Sequence, residues 1–116
     1  QPCQSPELTV EEKNQIKQLL EIADLNYEVG RLVDPPVSNA AYGYQEVIKI
    51  DRCNSQAKKG LNAIAQDYAD KARKSLEQEN DLRDSLNLVD AGLIAMPNHP
   101  SLLELRRQIN REINGN

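Results

Sequence analysis

The chain has no Trp and no Phe, a single His and a single Met, and its only aromatic residues are four Tyr. A core without large rings must be filled by Ala, Leu and Ile. Such side chains suit closely packed helices better than a β-sandwich. No apolar run approaches the ~20 residues that span a bilayer, so direct membrane insertion by this segment is not expected. A basic excess is missing as well. The formal net charge is −4: residues 1–54 hold five Lys/Arg against nine Asp/Glu, and residues 55–116 hold nine of each. An acidic first half beside a neutral second half opposes phosphate-backbone binding, which needs a basic stripe, and so argues against a nucleic-acid partner. The lone His99 lies between two prolines and has no companions at ligand spacing, so it reads as an exposed turn residue and no metal site is expected. Gly60-Leu61 sits inside a helical pattern and is no phosphate loop. Asp81 and Asp84 read as first-turn charges complementing a helix dipole, and Asp90 as part of a solvated face. No residue set qualifies as catalytic, no cofactor is implied, and the chain reads as a non-enzyme.

What is present fits one small globular domain. Its 116 residues are 39 % hydrophobic and 28 % charged, enough to bury a core without staples. The chain begins with Gln1, which reads as a processed or excised form, and no targeting segment is visible within it. Cys3 sits in a tail with Pro2 and Pro6, and Cys53 in a turn. Two cysteines alone fix no pairing: either they form a disulfide that ties the tail down outside the reducing cytosol, or they are two unpaired thiols.

The helical periodicity is explicit. Thr9 and Glu12 form a capping box, and a first helix is expected from Val10 to Leu32. Ile16, Leu19, Leu20, Ala23, Tyr27 and Gly30 share one face, while Ile22, Leu25, Val29 and Leu32 lie about 200° away. The helix is therefore apolar on two sides, either sandwiched within the chain or exposed for a subunit contact. Asp34-Pro35-Pro36 breaks the pattern. A second helix is expected from a cap at Ser38 or Asn39 to Ile50, and then a turn in which Asn54 caps the next helix. The third, Ser55 to Leu76, carries Ala57, Leu61, Ile64, Ala65, Tyr68, Ala69 and Ala72 as one unbroken stripe. Asn80 or Asp81 caps a fourth, with Leu82, Leu86, Val89, Leu93 and Met96 inward, ended by Pro97 and Pro100. Leu61, Ile64, Tyr68, Leu86, Val89 and Leu93 are expected to form one core. Ser101 and Glu104 read as a capping box opening a fifth helix with Leu102, Leu105, Ile109 and Ile113 on one face. No stretch alternates with period two for long enough to make a strand.

Two segments echo each other. Ala40, Tyr44, Val47, Ile48 and Ile50, closed by Asp51-Arg52-Cys53-Asn54, match Ser85, Val89, Gly92, Leu93 and Ala95, closed by Met96-Pro97-Asn98-His99-Pro100. At these residues, and over roughly 16–100, the chain resembles the tetratricopeptide (TPR) superfamily. Ala40 and Ser85 take the small position where the hairpin helices meet, Tyr44 and Val89 the large one, and Pro97 the terminating proline. Arg52 and Pro97 are 45 residues apart, where a TPR unit has about 34. The excess is about three helical turns, and it fits a lengthened third helix. The resemblance implies an all-α fold of two antiparallel hairpins in a right-handed stack with a C-terminal capping helix. Its parts would be a tail (1–8), a first hairpin (9–51), an extended second hairpin (52–97) and the cap (98–116). Gly30-Arg31-Leu32, Asn39-Ala40, Gly60-Leu61 and Ile64-Ala65 are similar to TPR-like segments of bacterial multidomain proteins that often follow a membrane anchor. That likeness implies an extracytoplasmic place, with the cytoplasm as the alternative.

The surface supplies the binding candidates. Asn62, Gln66 and Arg73 flank the stripe of the third helix and can offer amide and guanidinium contacts to an extended peptide, unless that flank is only a hydrated surface. Tyr42 lies off its helix stripe and can add contact area. The expected function is a protein-interaction module for a protein or peptide partner. The alternative is a spacer or dimerisation segment of a larger membrane-anchored protein. A monomer is expected, with a homodimer as the other possibility.

Overall fold

Thr9 opens the first helix by reciprocal bonds: its Oγ1 accepts from Glu12 N–H at 3.1 Å, and Glu12 Oε1 accepts from Thr9 N–H at 2.9 Å. The computed structural model describes residues 3–115. Gln1 and Pro2 of the expected N-terminal tail, and Asn116 of the C-terminal one, lie outside the described residues. The fold is all-α, with five helices: α1 (Val10–Glu28), α2 (Ala40–Ile50), α3 (Ser55–Lys74), α4 (Leu82–Ala95) and α5 (Pro100–Ile113). A π-helical turn, Ser75–Glu79, extends α3, and no strand occurs among the described residues. The chain forms two compact units, one ending at Leu61 and the other beginning at Asn62, so the division falls inside α3.

In the first unit α1 packs against α2. α1 stops four residues before the expected Leu32, because Gly30 takes a left-handed φ of +83° that ends a helix at no steric cost. Gly30 is thus a terminator, not part of the helix face. Leu32 is still buried, from the loop rather than from the helix. Asn39 caps α2, its Oδ1 accepting from Tyr42 N–H at 2.8 Å while its Nδ2 donates to Pro35 O at 2.8 Å. Gly43 sets the closest approach of α1 and α2: a Cβ there would lie 2.9 Å from Ala23 Cβ. The first turns of α3 sit as close to α2, since a methyl group at Gly60 has no room against the Tyr44 ring.

Tyr44 is buried, and its hydroxyl donates to Asp24 Oδ1 at 2.5 Å, bolting α2 to α1. Burial, followed by the bond to Asp24 and that carboxylate's charge, raises the phenol above its ordinary value. The unfolded chain releases this proton near pH ~10 whereas the folded one holds it. The stabilisation is therefore complete below about pH 10 and falls as pH rises above it, by up to about 1.4 kcal/mol per pH unit. Urea midpoints at about pH 9, 10 and 11 should show this decline in the wild type, and a shallower one in Tyr44→Phe. Parallel declines in the two proteins would mean that Tyr44 ionises alike in both states.

The second unit is built around Ala65, Ala69 and Ala72 of α3, Val89 of α4, and Leu102, Leu105 and Ile109 of α5. The unbroken α3 stripe is as expected, with no interruption near Ala65. The inner face of α4 is not. Ser85, Val89, Gly92 and Ala95 are buried, while Leu82, Leu86, Leu93 and Met96 are only partly buried at its flank. Gly92 explains the rotation: a Cβ there would lie 2.7 Å from Leu102 Cδ1 and 2.9 Å from Tyr68 Cβ, so the smallest residues take the contact. Of the six residues expected to form one core, Ile64 and Val89 are fully buried and Leu61, Tyr68, Leu86 and Leu93 are partly so. Asp81 caps α4, accepting from Asp84 N–H at 2.9 Å. His99 is a correction. It is buried rather than exposed, and its Nδ1 accepts from Leu102 N–H at 3.3 Å to cap α5. The expected box at Ser101 is displaced because Pro100, lacking an N–H, takes the first helical position and puts the cap one residue before it. Glu104 instead pairs with Arg107 at 2.6 Å.

Candidate functional site

The tail and the turn after α2 are joined, since Cys3 and Cys53 form a disulfide with Cα atoms 5.6 Å apart. In that turn Cys53 N–H donates to Asp51 Oδ1 at 3.0 Å, and Asn54 Oδ1 accepts from Ala57 N–H at 2.9 Å to cap α3. This places Asn54 and Gln56 against α1, and together they enclose an open groove of about 300 Å³. Ile16 and Leu20, both mostly buried, line its apolar side. Lys13 and Lys17 stand one turn apart at one end, Glu21 and Asp24 at the other, and the two amide side chains come from the turn and the start of α3. The groove thus offers a cationic end, an anionic end, amide donors and acceptors, and apolar contact. That combination suits a short extended polypeptide. Sequence reasoning missed it because its walls lie about thirty residues apart in the chain, and each by itself reads as a hydrated surface.

The four candidates from sequence are distributed differently. Asn62 is exposed on α3, with Gln66 and Arg73 half-buried on the same flank. Gln66 Nε2 donates to Asp70 Oδ1 at 3.0 Å, and Arg73 Nη1 donates to the same oxygen at 3.2 Å. Both donors are therefore held on their own helix by Asp70, and a ligand would have to displace that carboxylate. Tyr42 on α2 is 38 % exposed. In the second unit Leu82, Leu86 and Ile113 line a further cavity of about 360 Å³, with Arg83 and Asn87 at its polar side. Among the described residues no three His, Cys, Asp or Glu side chains gather where they could hold a metal ion. No helix among them is long and apolar enough to cross a membrane.

The largest departure lies on α1. Ile22, Leu25 and Val29 are 58, 61 and 68 % exposed, so of the second apolar face only Leu32 is covered within the chain. Their i, i+3, i+7 spacing makes a stripe two turns long that ends on Val29, the residue capping the C-terminus of α1. The same line of the helix continues upstream through Gln18, Gln15 and Glu11, and that switch to polar residues marks a local patch, not a buried seam. Comparisons with family models, curated proteins and solved structures find no match to this chain.

Proposed function

We propose that this chain is a non-enzymatic protein-interaction module whose helical surface receives a protein partner. The observation that carries this reading is the exposed stripe Ile22, Leu25 and Val29: three large apolar side chains in line on one helix face, where an isolated domain would ordinarily place polar ones. The groove on the Lys13, Lys17, Asp24 side of α1 adds a second recessed surface. The TPR resemblance supports the same reading, because stacked helical hairpins present surfaces to other proteins. The Cys3–Cys53 bond supports an extracytoplasmic place, since disulfides persist in oxidising compartments.

Selection of a displayed random-peptide library on the wild type, with Leu25→Lys/Val29→Lys as counter-target, tests the proposal. Both side chains are exposed, so the double variant should keep its helicity and its unfolding midpoint. Peptides that bind the wild type and not the variant are the expected result. A selection that enriches none would remove the reading. The second reading, a spacer or dimerisation segment of a larger membrane-anchored protein, draws on the same stripe, which a second copy can cover. Sedimentation showing a wild-type dimer that the double variant converts to a monomer would install that reading in its place.

A further inference from the structure

We infer that the partner seated on this stripe is an amphipathic helix of another protein whose apolar face is flanked by Lys or Arg; the inference rests on the interaction reading above. The argument is the charge around the stripe. In heptad terms Ile22 and Val29 are a positions and Leu25 is d, so the flanking g positions are Glu21 and Glu28 and the e position is Asn26. Both glutamates are exposed. The carboxylates flanking the stripe are Glu21 and Glu28, the last turn has no basic residue, and Asp24 is turned to the groove and the Tyr44 hydroxyl. Lys17 stands one turn back on the groove side, and Arg31 lies past the helix end. The final carbonyls of α1 add the negative end of its dipole. An apolar stripe with this rim favours cations on its occupant.

The other occupants fare worse on the same grounds. An antiparallel second copy centred on Leu25 sets Glu28 close to the partner's Glu21, and a parallel copy sets Glu21 opposite Asn26. Neither orientation brings a cation to either glutamate. An anionic lipid surface meets the same carboxylates with like charge. The stripe spans Ile22 to Val29, roughly 10 Å along the axis, a length that suits a small, transient interface.

Three synthetic helical peptides with one apolar face, flanked by Lys, Gln or Glu, provide the test, titrated against the intact chain by fluorescence anisotropy. The Lys-flanked peptide is expected to saturate in the micromolar range and to bind about tenfold or more tightly than the Glu-flanked one. Its affinity should fall several-fold between about 0.05 and 0.5 M salt. Leu25→Asn should abolish binding with unchanged circular dichroism, and Glu21→Lys/Glu28→Lys should reverse the order of the peptides. Equal affinity for all three peptides overturns the inference, as does binding that survives Leu25→Asn. Wild-type self-association that blocks the Lys-flanked peptide, or binding to phosphatidylserine vesicles in its place, overturns it too. If library selection finds stripe-dependent binders without basic flanks, this inference fails and the interaction reading stands. If it finds none, both fail.

Discussion

Replacing Cys3 and Cys53 together by Ser is expected to lower the stability of the chain by about 4 kcal/mol. The bond closes a loop with a sequence separation of 50. In the chain-entropy description, a loop of that length restricts the unfolded ensemble by about 4 kcal/mol. The folded tail itself buries little: the side chains from Cys3 to Glu7 are exposed and Leu8 is half-buried. Most of the loss should therefore arise in the unfolded state, not from contacts broken in the folded one. Urea unfolding of the oxidised wild type and the double variant, each extrapolated to water with its own slope, measures it directly. A loss below about 1 kcal/mol would mean that the unfolded chain is already compact around this pair. The bond also bears on the groove. Cys53 directly precedes Asn54, so freeing the turn loosens one wall of the space facing Lys13 and Asp24.

Local signals are legible in the sequence where a single local rule acts, although the caps of α2 and α4 each stood between two neighbours, Ser38 or Asn39 and Asn80 or Asp81. Thr9, Asn39, Asn54 and Asp81 each cap a helix through their own side-chain oxygen, and a cap needs only three or four consecutive residues. The α3 stripe was legible for the same reason, since its period is fixed by the helix and no proline interrupts it. Misreadings arose where two local rules compete. At Gly30, apolar periodicity suggested continued helix, and the left-handed conformation open to glycine stopped it. At Ser101, a capping-box pattern competed with the preference of Pro100 for the first helical position, and the proline prevailed.

Long-range features were less legible. Periodicity shows which residues share a face of α1, but not whether another element covers that face, so the stripe at Ile22 could be read as core or as surface. The groove at Ile16 and Leu20 needs the turn after α2 brought against α1, which pattern alone does not place. The candidates Gln66 and Arg73 were read as available donors because sequence does not reveal that Asp70 satisfies both. The disulfide lay between these cases: its two cysteines were evident, and only their proximity decided the pairing.

The rotated inner face of α4 leads to the second large effect. Leu102→Ala is expected to cost about 3–5 kcal/mol, whereas Leu86→Ala should cost about 1 kcal/mol. Leu102 is fully buried, at the close approach of α5 and α4 where Gly92 leaves room for its two methyl groups. Removing them opens a void in the core that Leu102 shares with Ala65, Ala69, Val89 and Ile109, whose short or branched side chains have little reach to refill it. Leu86 lies instead on the margin of an open cavity beside Leu82 and Ile113, where water can take the place of the lost atoms. Had the leucines of α4 pointed directly inward, the two substitutions would cost the same. Denaturant melts of the two single variants therefore report which face of α4 is inside. Equal losses would return Leu86 to the centre of the core, and would contradict the placing of Ser85 and Gly92 at the helix contact.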